Sequence, residues 1–445
     1  MRSKLIALLA APAVLGAQQR MTQPPPGDTS TFHQVSLAEA LRLAHDNNVQ
    51  NITADNAIRT ANNTVRGNKA RYLPTLSASA GQNISQGSRL GQSNDYIPIA
   101  SKWAYSTGLS AGYTVWDGGK TRADIRNAQA TVASMQAQEV NTEFSVSFQV
   151  KQAYNSVLAA KESESAARAQ LATAQLTLQT SIAKVNAGAA NVADSLQSVV
   201  QVGNAQLAIL NAQNTFRTQS AALTTLVGTP YFVTANLVDT VEHLGTPIDS
   251  AQVMALATQG PTVRSADAAI NAANAAERSA KAAYQPTVQL SGGFSGNGTN
   301  AFYGVPGLRG DNGYPYAKSF GINATLPIFN QFQRENQIAN SQINLDNAQA
   351  QARAARLSAQ QNVVTGVANL RNAEESMNVQ ANSVTAATEA LRVVTQRYNL
   401  GASTQLEVTT AQQNLVTAQQ QLITARLNYR NARAQIEAAI GRDIP

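Results

Sequence analysis

Residues 398–441 read YNLGASTQLEVTTAQQNLVTAQQQLITARLNYRNARAQIEAAIG. Within them Val408, Ala411, Leu415, Ala418, Leu422, Ala425, Tyr429, Ala432, Ile436 and Ala439 follow one another at spacings of three and four without a slip. A repeat of about 3.5 residues keeps one seam facing a partner only when helices wind left-handedly around each other. Large residues alternate with alanine in this seam, so partner backbones can approach closely. A glycine opens the stretch at Gly401 and another closes it at Gly441.

The same stretch occurs 213 residues earlier, between Gly188 and Gly228. Its seam reads Ser195, Ser198, Val202, Ala205, Ile209, Ala212, Phe216, Gln219, Leu223 and Leu226. A duplication of this extent organises the whole chain and takes precedence over local readings.

Only 13 % of the 445 residues are charged, and the polar remainder is rich in Gln, Asn, Ser and Thr beside much Ala. That composition suits long, closely packed helices. Cysteine is absent, which excludes disulfides, thiolate nucleophiles and cysteine-bound metals, and leaves no cysteine to carry a lipid. Residues 1–17 have the form of a secretory signal: Arg2 and Lys4, the apolar run Leu5–Leu15, then small residues to Ala17. The net charge of +7 is spread along the chain, so the expectation is solvated helix faces and no nucleic acid.

Polar residues 18–35, with Pro24, Pro25 and Pro26, read as a linker or strap. Ser36 and Glu39 form a capping-box start for a short helix, and a second helix is expected over about 49–71, ending before Pro74.

The period then changes to two. Tyr105, Thr107, Leu109, Ala111, Tyr113 and Val115 alternate with Ser106, Gly108, Ser110, Gly112 and Thr114. Eleven residues fall at the upper end of the roughly 9–11 that cross a bilayer as a tilted strand. A weaker partner strand holds Leu76, Ala78 and Ala80, and a polar loop is expected between the two, from Gln82 to Ser101. The second copy repeats the pattern with Val288, Leu290 and Phe294, then Phe320, Ile322, Ala324, Leu326 and Ile328. Fifteen of the 24 aromatics lie within 72–116 and 284–332, which fits the girdles of a membrane barrel better than a soluble sandwich.

Each strand pair leads into a very long helix, expected over 120–186 and 332–399, each on the order of 100 Å. Shorter helices at 190–228 and 404–440 follow the glycine turns. In each copy the short helices before and after should together match the long one to within about a turn. The expected organisation is a signal (1–17), a strap (18–35) and a first repeat (36–228) with strands in 73–116. A linker (229–249) joins it to a second repeat (250–441) with strands in 286–329, and a tail (442–445) follows. The linker should form a small mixed collar with the N-terminal segment and the last residues. Four amphipathic strands cannot close in lipid, so oligomerisation is required; eight, twelve or sixteen strands would all satisfy closure.

The chain resembles the TolC-type outer-membrane efflux channels over essentially its whole mature length. The resemblance rests on the tandem repeat, the strand–loop–strand–long-helix order and the strand-to-helix turn Val115-Trp116-Asp117-Gly118-Gly119 with its counterpart Pro327-Ile328-Phe329-Asn330. It rests above all on Tyr398-Asn399-Leu400-Gly401 with the heptad helix to Gly441. The family resemblance implies a mainly α fold with a small transmembrane β part. It implies a homotrimer with a 12-stranded barrel in outer-membrane lipid and an α-helical tunnel crossing the periplasm. The implied partners are a periplasmic adaptor (membrane fusion) protein and an inner-membrane pump of RND or ABC type, in drug efflux or type I secretion. A periplasmic coiled-coil scaffold without a pore is the alternative.

No nucleophile, metal triad or acid–base constellation is legible, so neither catalysis nor a cofactor is expected. Gly118-Gly119-Lys120-Thr121 lacks the earlier glycine of a phosphate loop, Thr114 standing there. Function should instead sit at the hairpin tips. Asp194 and Glu407 follow the two glycines at equal distance. Acidic residues at this place in the family's second repeat ring the closed entrance, while the helix dipole alone would also favour them. Tyr398 matches a tyrosine of the family's lock. Ser403 stands where the family has an arginine, with Arg397 or Lys184 as candidate stand-ins, and Thr410 stands where a second acid is found. Asn186, Ala187 and Gly188, with Asn399, Leu400 and Gly401, are the adaptor-docking tips that the resemblance implies.

Overall fold

The computed structural model describes residues 32–90, 96–236, 250–299 and 316–442. The expected signal segment, the apolar fragment 237–241, the second inter-strand loop tip and the last three residues lie outside these.

Two copies of one helical plan make up the chain. In the first, α1 (Leu37–Asn47) and α2 (Val49–Ala70) precede strands β2 (Thr75–Leu90) and β3 (Tyr96–Trp116), then α3 (Lys120–Asn186) and α4 (Val192–Val227). In the second, α5 (Ser250–Ala257) and α6 (Pro261–Lys281) precede β5 (Thr287–Thr299) and β6 (Tyr316–Thr325), then α7 (Gln333–Asn399) and α8 (Gln405–Ile440). Both long helices have 67 residues and both returning helices 36. At about 1.5 Å per residue the long helices span roughly 100 Å. None of the described helices is long and apolar enough to cross a membrane.

The short helices stack end to end beside the long ones, and the junctions explain two glycines. Gly228 ends α4 at φ +73°, and a Cβ there would stand 2.7 Å from the Asn47 carbonyl. Asn48 caps α2 and donates from Nδ2 to the Leu226 carbonyl at 2.7 Å. At the matching junction a Cβ on Gly441, φ +73°, would stand 2.7 Å from the Pro261 ring. The stack falls nine residues short of the long helix, since α2 and α4 have 22 and 36 residues against 67. The expected match within a turn is therefore corrected: the termini cap against one another before either helix extends further.

At mid-height each copy has its own core. Val146, Val150, Tyr154, Val157 and Leu223 fill the first, and Val363, Val367, Leu370, Tyr429 and Ile436 the second. A collar of two parallel strands, β1 (His33–Val35) and β4 (Val233–Ala235), closes over the first core. Buried Tyr154 binds both, its hydroxyl donating to the Val35 carbonyl and accepting from the Asn236 N–H, each at 3.1 Å. The strap thus contributes a strand at its end, and Ser36 caps α1 through the Glu39 N–H.

Strands β2, β3, β5 and β6 form one antiparallel sheet in that order. The expected loop from Gln82 to Ser101 is overturned. β2 continues to Leu90 and β3 starts at Tyr96, with pairs such as Ser85↔Lys102 and Arg89↔Ile97, while the tip, 91–95, lies outside the described residues. Polar residues suit a strand when backbone pairing supplies the energy, and alternation weakens only outside the apolar band. Register aligns the faces: Leu76, Ala111, Gly292 and Phe320 form one row, Ser77, Ser110, Gly293 and Ser319 the next. Leu76, Leu109, Val115, Phe320 and Ile322 are exposed on the apolar face. The other face is small and crowded: a Cβ on Gly81 or Gly293 would come within 2.9 Å of a serine hydroxyl. Crowding confined to one face is what inward curvature produces.

Candidate functional site: the hairpin tips

Each long helix ends in the same turn. After α3, Ala187 donates to the Ala183 carbonyl (3.1 Å), Gly188 to Val185 (3.0 Å) and Ala189 to Lys184 (2.8 Å). After α7, Leu400, Gly401 and Ala402 repeat this on Gln396, Tyr398 and Arg397 at 3.1, 3.1 and 2.8 Å. The bond that reaches five residues back closes a Schellman motif, which needs a left-handed residue. Gly188 and Gly401 supply it at φ +68° and +78°. Asn186, Ala187, Asn399 and Leu400 are exposed around them, and Leu400 presents 85 % of its surface.

The returning helices are capped alike. Asn191 accepts from the Ala193 N–H at 3.1 Å and Thr404 from the Glu407 N–H at 3.3 Å. The carboxylates differ. Half-buried Asp194 lies in the first turn of α4. Glu407 accepts from the Ser403 hydroxyl at 2.5 Å and the Thr404 hydroxyl at 3.2 Å. The Ser403 hydrogen bond is the largest influence holding Glu407 below the ordinary glutamate pKa, with Thr404 and the nearby Arg397 charge adding to it. Ser403 therefore fixes the carboxylate. Arg397 reaches back to the Ala402 carbonyl at 3.2 Å and stiffens the turn.

Tyr398 points between the hairpins and is buried. The Lys184 ammonium sits 3.5 Å from the centre of its ring and also donates to its carbonyl. Desolvation there lowers the Lys184 pKa. Of the two candidate cations, Lys184 therefore engages the tyrosine and Arg397 does not. The Tyr398 hydroxyl lies 3.4 Å from Ser181 Oγ, which is 3.1 Å from Ser198 Oγ. Gln405 Nε2 donates to that same Ser198 hydroxyl at 3.1 Å, while its Oε1 is buried without a partner. All four helices meet in this polar knot.

Sequence reasoning did not assign Ser181, Ser198 and Gln405 to the site. A signal was available for the two serines: Ser181 and Ser198 stand where the second hairpin has Val394 and Ala411, while Gln405 had none. Asp194 joins the knot only through its backbone carbonyl, which accepts from Ser198 Oγ at 3.0 Å, and the side chains of Asp194, Glu407 and Arg397 surround it.

The sequence profile of the outer membrane efflux protein family matches residues 40–229 and 254–442. Outer membrane efflux protein BepC of Brucella suis biovar 1 (strain 1330) is 24 % identical over 380 residues, covering 85 % of this chain and 79 % of its own. The pyoverdine export outer membrane protein OpmQ of Pseudomonas aeruginosa is 26 % identical over 359 residues, 77 % of this chain and 72 % of its own. The crystal structure of the outer membrane protein VceC from Vibrio cholerae superposes with a TM-score of 0.71 at 21 % identity, covering 92 % of this chain and 97 % of that one. With the duplicated helix–sheet–helix plan and the paired tips, these matches place the chain: it belongs to the outer membrane efflux protein family.

Proposed function

We propose that the protein is the exit duct of a tripartite efflux or type I secretion system, passing substrates from an inner-membrane pump across the periplasm and outer membrane. The observation that carries this is a four-stranded sheet, apolar on one face and small and polar on the other, with both edges unpaired among the described residues and each half feeding a helix of about 100 Å. An open edge is not stable in hydrocarbon. Closure needs more than one copy, and in the homotrimer of the family three copies give twelve strands. The tips form the periplasmic entrance, with Asp194 and Glu407 as its charged ring, six carboxylates in a trimer, and Tyr398 with Lys184 as the contact holding the hairpins together. The exposed residues 186–188 and 399–401 are the surface for a periplasmic adaptor, behind which an RND or ABC pump stands. Purified protein in planar bilayers should give discrete single-channel steps. A trimer that inserts without conducting would return the coiled-coil scaffold as the better reading.

A further inference from the structure

The apolar face of the sheet does not stop where β6 ends. Ile322, Ala324, Leu326 and Ile328 carry its two-residue period into the bend that leads to α7, and Phe329 and Phe332 follow. Ile328, Phe329 and Phe332 are 90, 71 and 62 % exposed. The two phenylalanine rings meet edge to face at 5.5 Å and form one apolar knuckle.

A neighbouring copy does not account for this exposure. The bend after β3 is the same bend 213 residues earlier, and there the chain itself supplies both neighbours: β3 lies between β2 and β5, and α3 between α2 and α6. Val115 and Trp116, equivalent to Ile328 and Phe329, still expose 56 and 57 % of their surface. A Cβ on Gly119, equivalent to Phe332, would meet nothing within 4 Å. Closing the barrel therefore leaves the knuckle uncovered, at the level where the apolar band meets water on the helical side.

Polar groups beside the knuckle lack partners. Arg334 donates from Nη2 to the Ile328 carbonyl at 3.3 Å, and its guanidinium lies 4.7 Å from the centre of the Tyr284 ring. Its Nε is buried without a partner, and so is Asn330 Oδ1. Buried polar groups are normally hydrogen-bonded, so an unpaired donor and an unpaired acceptor in one bend mark a place that a bound group completes. Exposed Glu335 is next in sequence and accepts from the Tyr284 hydroxyl at 3.1 Å. The second bend thus sets a cation and an anion side by side above an apolar surface. In the first copy Thr121 and Arg122 stand at these two places, and Asp117, equivalent to Asn330, is engaged by the Gly119 and Thr121 N–H groups. Phe332 also holds a left-handed conformation, φ +60°, where the first copy has glycine. Strain kept at an exposed aromatic residue is a pointer to function.

We propose that the β6–α7 bend binds a phosphoethanolamine lipid of the periplasmic leaflet. Arg334 takes the phosphate, Glu335 the ammonium, and Ile328, Phe329 and Phe332 the acyl chains. A guanidinium donates to phosphate oxygens, and an ammonium donates to a carboxylate, so a zwitterion satisfies both residues. An anionic headgroup would leave Glu335 unpaired, and a quaternary amine has no N–H to donate. The proposal rests on the outer-membrane reading for the position of the bilayer, and its test does not depend on conduction.

The assembled protein, stripped of lipid in detergent, is titrated with phosphatidylethanolamine, phosphatidylglycerol and phosphatidylcholine, and bound lipid is counted by native mass spectrometry. Phosphatidylethanolamine should bind about tenfold more tightly than the other two, the worth of one charge-assisted hydrogen bond. Arg334→Gln should weaken it about tenfold. Glu335→Gln should erase the preference over phosphatidylglycerol. Phe332→Gly separates binding from folding: it relieves the left-handed backbone, so the protein should keep its thermal stability and still bind the lipid more weakly. Equal binding of the three lipids, or affinity unchanged in Arg334→Gln and Phe332→Gly, overturns the proposal. Displacement of the lipid by an equal concentration of free O-phosphoethanolamine would assign the site to a soluble phosphate ester and overturn it too. A protein that conducts without lipid preference sinks this proposal alone, and one with the preference that does not conduct sinks the duct reading alone.

Discussion

The two hairpins of this chain have the same lengths and the same tip hydrogen bonds, yet they solve the bend from strand to helix differently. In the first, Gly118 and Gly119 take the two left-handed positions at φ +65° and +82°, and Asp117 accepts from the Gly119 and Thr121 N–H groups at 3.0 and 2.6 Å. In the second, Gln331 and Phe332 hold the same two positions at φ +57° and +60°. Asn330, in place of Asp117, has a buried Oδ1 without a partner. Equivalent geometry is thus kept with unequal comfort. Duplication preserved helix length and turn shape, while the residues that relieve local strain diverged, because a rigid helix on one side and a paired strand on the other over-determine the bend. The returning helices differ for another reason: α8 lies along both α7 and α3, whereas α4 lies along α3 and meets α1 much less, so α4 keeps exposed apolar residues such as Leu196, Leu207 and Leu210.

The largest expected effect contrasts the glycines at the helix junctions with those at the tips. Gly228→Ala meets both the left-handed penalty and the Asn47 carbonyl, for a cost of about 3 kcal/mol. Gly188→Ala meets only the penalty, about 1–2 kcal/mol, because nothing lies near its Cβ position. Denaturant unfolding of the two variants measures the difference, and equal costs would deny the end-to-end stacking of α2 on α4. Next, Gln331→Gly should raise stability by about 1 kcal/mol by relieving the left-handed conformation, less the entropy of glycine. A loss would mean the Gln331 side chain contributes more than its backbone costs.

The smallest effect separates the two tip carboxylates. Glu407→Gln should weaken block of single-channel current by multivalent cations more than Asp194→Asn, since Glu407 is exposed and Asp194 half-buried. The folded pKa of Glu407 is depressed, so its contribution to the cap is complete above the ordinary glutamate value and is lost only as pH falls through the lower folded value. Block should therefore persist at pH 4.5 and fade below it, and Ser403→Ala should move the fading upward. A pH profile unmoved by Ser403→Ala would dissociate that hydroxyl from the aperture charge.

Helical periodicity was the most legible feature. Seams at 3.5 residues run unbroken for dozens of positions, and glycine marks both ends of α3, α4 and α8, so α3 begins and ends at Lys120 and Asn186. The strands were harder to bound. Residues 82–90 and 96–101 carry no alternation, and only cross-strand pairing reveals them as sheet. At the tips, Tyr398, Glu407 and Gly401 stood out by type and spacing, whereas Ser181, Ser198 and Gln405 became visible only when four helices converged.

What the sequence by itself determined is the duplicated plan, the helix lengths, the turns and the two-faced strands, all governed by interactions between residues near one another in the chain. What only the tertiary structure decided is which helices have two neighbours and which have one, that Lys184 and not Arg397 engages Tyr398, and where stacked helices stop. Those outcomes depend on contacts between residues hundreds of positions apart, whose geometry no local period encodes.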